Sequence, residues 1–226
     1  MARVIEHRKV LILRKQGKSY SQINRELGIP KSTLSDWLCK LPLSKSQIRL
    51  LRDFNQQRIE KCRNTKRKKL ERRLLEKYKI QKKKIGVLSK RELFIAGLFL
   101  YWGEGGKSSR NVLSLCNTDP SVIKFTLFWI NKCLHVSKKK IHINLHLYSD
   151  MDITKETNYW SRVLGIGKDQ FTKPYIKKSK KTDLDQKSFG HGTCSLYVCN
   201  TSLKENILMT IKVISDIYGE ISTILV

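Results

Sequence analysis

Acidic side chains are scarce in this chain. Nineteen Asp and Glu stand against 46 Lys and Arg, a formal net charge of +27 over 226 residues. Solubility of a small domain asks for a magnitude of only about 2 to 8. The imbalance therefore implies a polyanionic partner, either nucleic acid or an acidic membrane surface. Long apolar runs are missing as well: no stretch approaches the roughly 18 uninterrupted apolar residues of a membrane span. The opening MARVIEHRKVLILRKQ lacks the apolar core and cleavage site of a secretory leader. Both absences argue against membrane and secreted classes. Cys39, Cys62, Cys116, Cys133, Cys194 and Cys199 include no CxxC pair and read as reduced thiols used as small apolar residues, so a cytoplasmic setting is expected. No P-loop, Rossmann fingerprint, Ser/Cys–His signature or internal repeat occurs. What is present, 40% hydrophobic residues and four Trp, is enough for a packed core.

The positive charge is unevenly placed. Residues 1–43 carry a net +6, residues 44–91 a net +15 and residues 92–226 a net +6. This predicts an N-terminal head, a basic connector and a C-terminal domain with those bounds. Between Ser44 and Lys84 there is neither Gly nor Pro, and strong helix formers dominate. Apolar residues recur sparsely at Ile48, Leu51, Ile59, Cys62, Leu70, Leu74 and Tyr78. The runs Lys66-Arg67-Lys68-Lys69 and Lys82-Lys83-Lys84 suit contact with a phosphate backbone. A solvated helix between domains is the plainer alternative.

The head reads as three short helices over residues 8–41. The first ends at Gly17 and the second runs from Tyr20 to Leu27. Gly28 supplies a turn, and Pro30 starts the third, where Leu34, Trp37 and Leu38 form an i, i+3, i+4 apolar face. The stretch GKSYSQINRELGIPKSTLSDWL resembles the helix-turn-helix of the resolvase and transposase type. Asn24 departs from that pattern, standing where the family usually has a small apolar residue. The resemblance implies that the third helix enters the major groove, with Lys31, Ser32, Thr33, Ser35 and Asp36 facing bases or phosphates. A three-helix protein-interaction module is the alternative.

After Arg91 the pattern becomes mixed. Leu93 to Tyr101 is apolar on every side, which predicts a buried helix ending in Trp102-Gly103-Glu104-Gly105-Gly106-Lys107. Strands are expected at 111–116, 141–147, 171–177 and 193–199, with helices at 120–134, 153–164 and 202–217, an α+β domain. Ile141, Ile143, Leu145 and Leu147 alternate inward against His142, Asn144 and His146.

The segment LFIAGLFLYWGEGGK resembles the helix of the LAGLIDADG homing endonucleases, in which an Ala-Gly pair packs closely and an acidic mouth follows. Four residues separate Ala-Gly-Leu from Gly-Glu-Gly here, where that family usually has about two. The resemblance implies a paired helix face at Ala96, Gly97 and Gly103. It also implies Glu104 as catalytic residue and ligand of Mg²⁺, and, because the motif occurs once, a homodimer. It implies a DNA-binding protein with metal-dependent phosphodiester cleavage. A degenerate fold of this type joined to a helix-turn-helix also builds bacterial transcription regulators, so a non-catalytic regulator stands beside the nuclease.

Lys173-Pro174-Tyr175-Ile176-Lys177-Lys178 mixes cations with aromatics, and its Lys173, Lys177 and Lys178, with Lys107 after the acidic mouth, are expected at phosphates. His142 and His146 lie about 13 Å apart along an extended strand and do not share a metal unaided. His191, Cys194 and Cys199 lack the paired spacing of a zinc site and read as a loop histidine and core cysteines. Double-stranded DNA is the expected partner, ahead of RNA.

Overall fold

The computed structural model describes residues 4–181 and 190–219. The chain divides into two compact units between Gly86 and Val87. The first holds α1 (Val4–Lys15), α2 (Tyr20–Leu27), α3 (Lys31–Leu38), α4 (Lys45–Arg49) and α5 (Phe54–Ile85).

Local chemistry sets these boundaries. The Ser19 hydroxyl accepts from the Gln22 amide while the Gln22 side chain accepts from the Ser19 amide, a reciprocal cap that starts α2. Gly28, with φ of 67°, ends it in the left-handed region. Asn24 turns its amide into the α2–α3 turn, donating to the Ile29 carbonyl at 2.8 Å. It braces the helix pair by hydrogen bonding where a small apolar residue would do so by packing. Val10, Tyr20, Ile23, Ile29, Leu34 and Leu38 form the core, with Trp37 half-buried at its margin, edge-on to His7 at 4.9 Å.

The basic segment is broken after α4 and resumes at Asp53, whose carboxylate caps α5 by accepting from Asn55 at 2.8 Å. The first turns of α5 are integral to the head. Arg14, 3% exposed, pairs with Glu60, 1% exposed, at 2.8 Å, and donates to the Leu41 carbonyl at 2.9 Å. Glu60 also pairs with Arg63 at 2.8 Å, and the Arg14 and Arg63 guanidinium groups lie over the Tyr20 ring. Residues 4–86 thus form one unit, without a division after residue 43.

The second unit is α+β: α6 (Lys90–Glu104), β1 (Val112–Asn117), α7 (Pro120–Lys132), β2 (His142–Tyr148), α8 (Ile153–Leu164), β3 (Tyr175–Lys177), β4 (Thr193–Cys199) and α9 (Thr201–Gly219). The sheet order is β1-β4-β2-β3, antiparallel except for the β2–β3 pair. Strand alternation sends Leu113, Leu115, Ile143, Leu145, Leu147, Cys194, Leu196 and Val198 into one core, with Leu98, Ile123, Trp129, Trp160 and Ile207 from the helices. Helices cover one face of the sheet.

Two expectations fail here. The strand expected at 171–177 pairs as a strand only from Tyr175; Pro174, which has no amide to donate, separates it from an isolated bridge at Phe171. The helix expected to be buried all round is not: α6 buries Gly97, Leu98 and Tyr101 but leaves Ala96, Phe99, Gly103 and Glu104 exposed.

Candidate nucleic-acid interface

In the first unit, burial of Leu34 and Leu38 fixes how α3 is turned. Lys31, Ser32, Ser35 and Asp36 are exposed on the outer side and Thr33 is half-buried beside them. No side chain caps α3, and the first amide to close within it is that of Leu34, onto Pro30 at 3.0 Å. The amides of Lys31, Ser32 and Thr33 therefore point out of a helix N-terminus, an arrangement suited to a phosphate.

Every residue of α5 from Lys68 onward is exposed, and Lys66 and Lys69 are exposed with it. Arg67 is half-buried and pairs loosely with Glu71 at 3.6 Å. The four cations sit on a continuous helix, so their spacing is set by its rise of about 1.5 Å per residue.

In the second unit the uncovered sheet face carries Ser114, Cys116, His142, Asn144, His146, Tyr148, Ser195 and Tyr197. His142 faces Tyr197 at 5.5 Å, and His146 meets Tyr175 edge-on at 5.5 Å. Lys177 lies 4.7 Å over the Tyr148 ring and joins this face, while Lys173 and Lys178 are exposed on either side of β3. Burial, and then the charge of Lys177, hold the His146 imidazole below its ordinary pKa. At neutral pH it is an uncharged hydrogen-bonding group, the kind that reads base edges, whereas the lysines suit phosphates.

Glu104 ends α6 beside Asn117, the last residue of β1, whose amide donates to it at 3.4 Å. Backbone close approach builds this mouth. A Cβ at Gly105 would meet the Tyr101 ring at 2.4 Å, and one at Gly106 would meet Ser114 Oγ at 2.6 Å. Lys107 donates to the Trp102 carbonyl at 2.6 Å. Beneath the mouth lies Lys204, fully buried, its ammonium donating to the Tyr101 hydroxyl and the Gly106 carbonyl. Burial and the charge of Lys107 lower its pKa. Sequence reasoning missed it, because a lone lysine in a first helical turn resembles a surface cation. Its spacing from Ile207 and Ile211 on one face of α9 was the available signal.

Among the described residues no group of three or more His, Cys, Asp or Glu is arranged to hold a metal. One exposed carboxylate with an amide neighbour fits a Mg²⁺ ion that draws most of its ligands from water and phosphate, not a protein-built cage. The dimer-helix assignments need one correction. Gly97 faces its own chain: a Cβ there would lie 2.1 Å from Trp129, so that groove is already filled. Ala96 and Gly103 are exposed, and Gly103 has nothing within 4 Å of an added Cβ. Cys194 lies in the core and Cys199 is exposed, while His191 Nδ1 bonds Glu156 at 2.7 Å. Among the described residues no helix is long and apolar enough to cross a membrane.

Comparison with models of protein families, with curated proteins and with solved structures finds no match to this chain.

Proposed function

We propose that this protein is a sequence-specific duplex-DNA-binding protein in which α2 and α3 act as a helix-turn-helix. The observation that carries this reading is the outer side of α3, where exposed Lys31, Ser32, Ser35 and Asp36 flank uncapped amides on a helix fixed by buried Leu34 and Leu38. In this reading α3 lies in the major groove, α5 neutralises phosphates through Lys66, Arg67, Lys68 and Lys69, and the second unit lays its open sheet face on duplex as a LAGLIDADG-like domain. Lys107, Lys173, Lys177 and Lys178 serve phosphates around that face. The partner is DNA rather than RNA, because a helix fits the wide major groove of B-form duplex and not the narrow one of A-form.

The reading extends to Mg²⁺-dependent phosphodiester hydrolysis by a homodimer, in which Ala96, Phe99 and Gly103 of two α6 helices meet and bring two Glu104 carboxylates together. A bound Mg²⁺ would supply Lewis-acid stabilisation of charge on the phosphate. The chain's own part is to hold Glu104 at a glycine-built mouth and to keep that mouth braced by Lys204. A second reading is a non-catalytic regulator with the same DNA contacts, in which Glu104 only accepts from the Asn117 amide and so ties α6 to β1.

The test is selection from a randomised duplex library, followed by footprinting with and without Mg²⁺. Protection of a defined site is expected, and uniform binding to all duplexes would reject the reading. Cleavage that is lost in Glu104→Gln marks the nuclease, and protection without cleavage marks the regulator.

A further inference from the structure

Between the first turn of α6 and the last turn of α7 lies a cleft of about 800 Å³, floored by Leu93, Phe94 and Phe128 and rimmed by Lys90, Arg91 and Lys132. Its volume is that of a small-molecule site, about 300 to 1,000 Å³. No acid lines it, since Glu92 of the same helical turn is folded back to accept from the Ser89 amide at 2.7 Å. Lys90, Arg91 and Lys132 make no ion pair among the described residues. Phe128 leaves 42% of its surface in solvent, while the Phe94 ring is anchored 6.5 Å from Trp129. At the rim, His135, two residues past the Cys133 cap of α7, adopts φ of 55°, a left-handed conformation uncommon outside glycine. The chain thus accepts backbone strain there and places an imidazole beside three unpaired cations.

We propose that this cleft binds a phosphorylated nucleoside, with the base against Phe128 and the phosphate among Lys90, Arg91 and Lys132. Exposed aromatic faces provide stacking surface for a heterocycle of any sequence. A phosphate monoester, carrying a charge of about −1.5 to −2 and three acceptor oxygens, matches three separate cations better than the single charge of a carboxylate does. A bare anion would leave the apolar floor unused. The site shares no residue with the surfaces assigned to duplex DNA and does not rest on that reading. Its nucleotide has two sources, a free mononucleotide or the phosphorylated end of a strand.

Full-length protein is titrated with AMP, with adenosine and with inorganic phosphate, while alkylation of Cys133, which lines the cleft, is compared with that of Cys116 and Cys199 by mass spectrometry. AMP is expected to bind at least about tenfold more tightly than either fragment and to slow modification of Cys133 alone. Phe128→Ala, at an exposed position, should retain the fold and weaken AMP by about tenfold, within the range of base–aromatic stacking. Arg91→Glu with Lys132→Glu should abolish binding. A 5′-phosphorylated oligodeoxyadenylate that protects Cys133 better than its 5′-hydroxyl counterpart and better than AMP identifies the strand end; protection by AMP alone identifies the free nucleotide. Phosphate binding as tightly as AMP, unchanged affinity in Phe128→Ala, or unprotected Cys133 with both probes would each overturn the proposal.

Discussion

Lys204 and Tyr101, 103 residues apart in sequence, meet in the core of the second unit, the ammonium donating to the phenol oxygen. The Tyr101 hydroxyl in turn donates a hydrogen bond to the Gly106 carbonyl at 2.7 Å, so both groups converge on the backbone just after Glu104. A buried polar pair of this kind is costly wherever either partner is left without a hydrogen bond.

Alkaline stability should report this pair. Burial pushes the Tyr101 phenol from its ordinary 10.0 up to about 12. Between those values the unfolded chain has lost a proton that the folded chain keeps, so stability falls as pH rises. Lys204 acts with the opposite sign. Its lowered pKa means that the unfolded chain holds more protons from that value up to 10.5, and stability rises across that window. Urea midpoints measured against pH should lose the fall between about 10 and 12 in Tyr101→Phe and lose the preceding rise in Lys204→Met. Parallel profiles for wild type and both variants would contradict these assignments.

Loss of Glu60 leaves the buried Arg14 guanidinium without a countercharge, whereas loss of Arg14 leaves Glu60 its Arg63 partner. Glu60→Gln should cost about 3–5 kcal/mol in the unfolding transition of the first unit, and Arg14→Met less. Arg14→Met combined with Glu60→Leu should recover part of that loss, because the isolated charge is gone. Chemical denaturation followed by far-UV circular dichroism reads both outcomes.

The two glycines of α6 should separate cleanly. Gly97→Ala forces a methyl into Trp129 and should destabilise the second unit by about 1–3 kcal/mol with a change in near-UV dichroism. Gly103→Leu meets open space, and its effect on stability should lie within about 0.5 kcal/mol. Sedimentation should show Gly103→Leu shifting self-association while Gly97→Ala affects folding first.

Specificity and general affinity should respond to different substitutions. Lys31→Ala and Ser32→Ala should each cost about 1–3 kcal/mol on the selected site if they touch base edges, with little effect on random duplex. Changing Lys66, Arg67, Lys68 and Lys69 to Gln should weaken all duplexes alike and reduce the salt slope by roughly one unit for each phosphate no longer neutralised. Fluorescence anisotropy across a salt series distinguishes the two.

Elements governed by their own few residues were legible in the sequence. Helix α2 runs from Tyr20 to Leu27 and ends at Gly28 as expected, and the alternation from Ile141 to Leu147 set the faces of β2. Contacts between distant residues were not. Nothing local announces that Arg14 reaches Glu60, that Trp129 fills the side of Gly97, or that Lys204 sits under the Glu104 mouth. Each depends on which helix lies against which, and a charged or small residue looks the same in sequence whether it meets water or another helix. The same ambiguity made α6 read as buried on all sides, since Phe99 is as apolar as Leu98 and only packing distinguishes them.

Trp129 closes one flank of α6, and a helix closed on one flank is open to joining on the other alone. The proposed pairing through Ala96, Phe99 and Gly103 would use the same stripe on both chains, and with both stripes covered nothing would remain to recruit a third copy. In that proposed dimer the tryptophan beside Gly97 would set a ceiling on stoichiometry at this helix. Assembly through this stripe would then stop at two and not propagate into a filament.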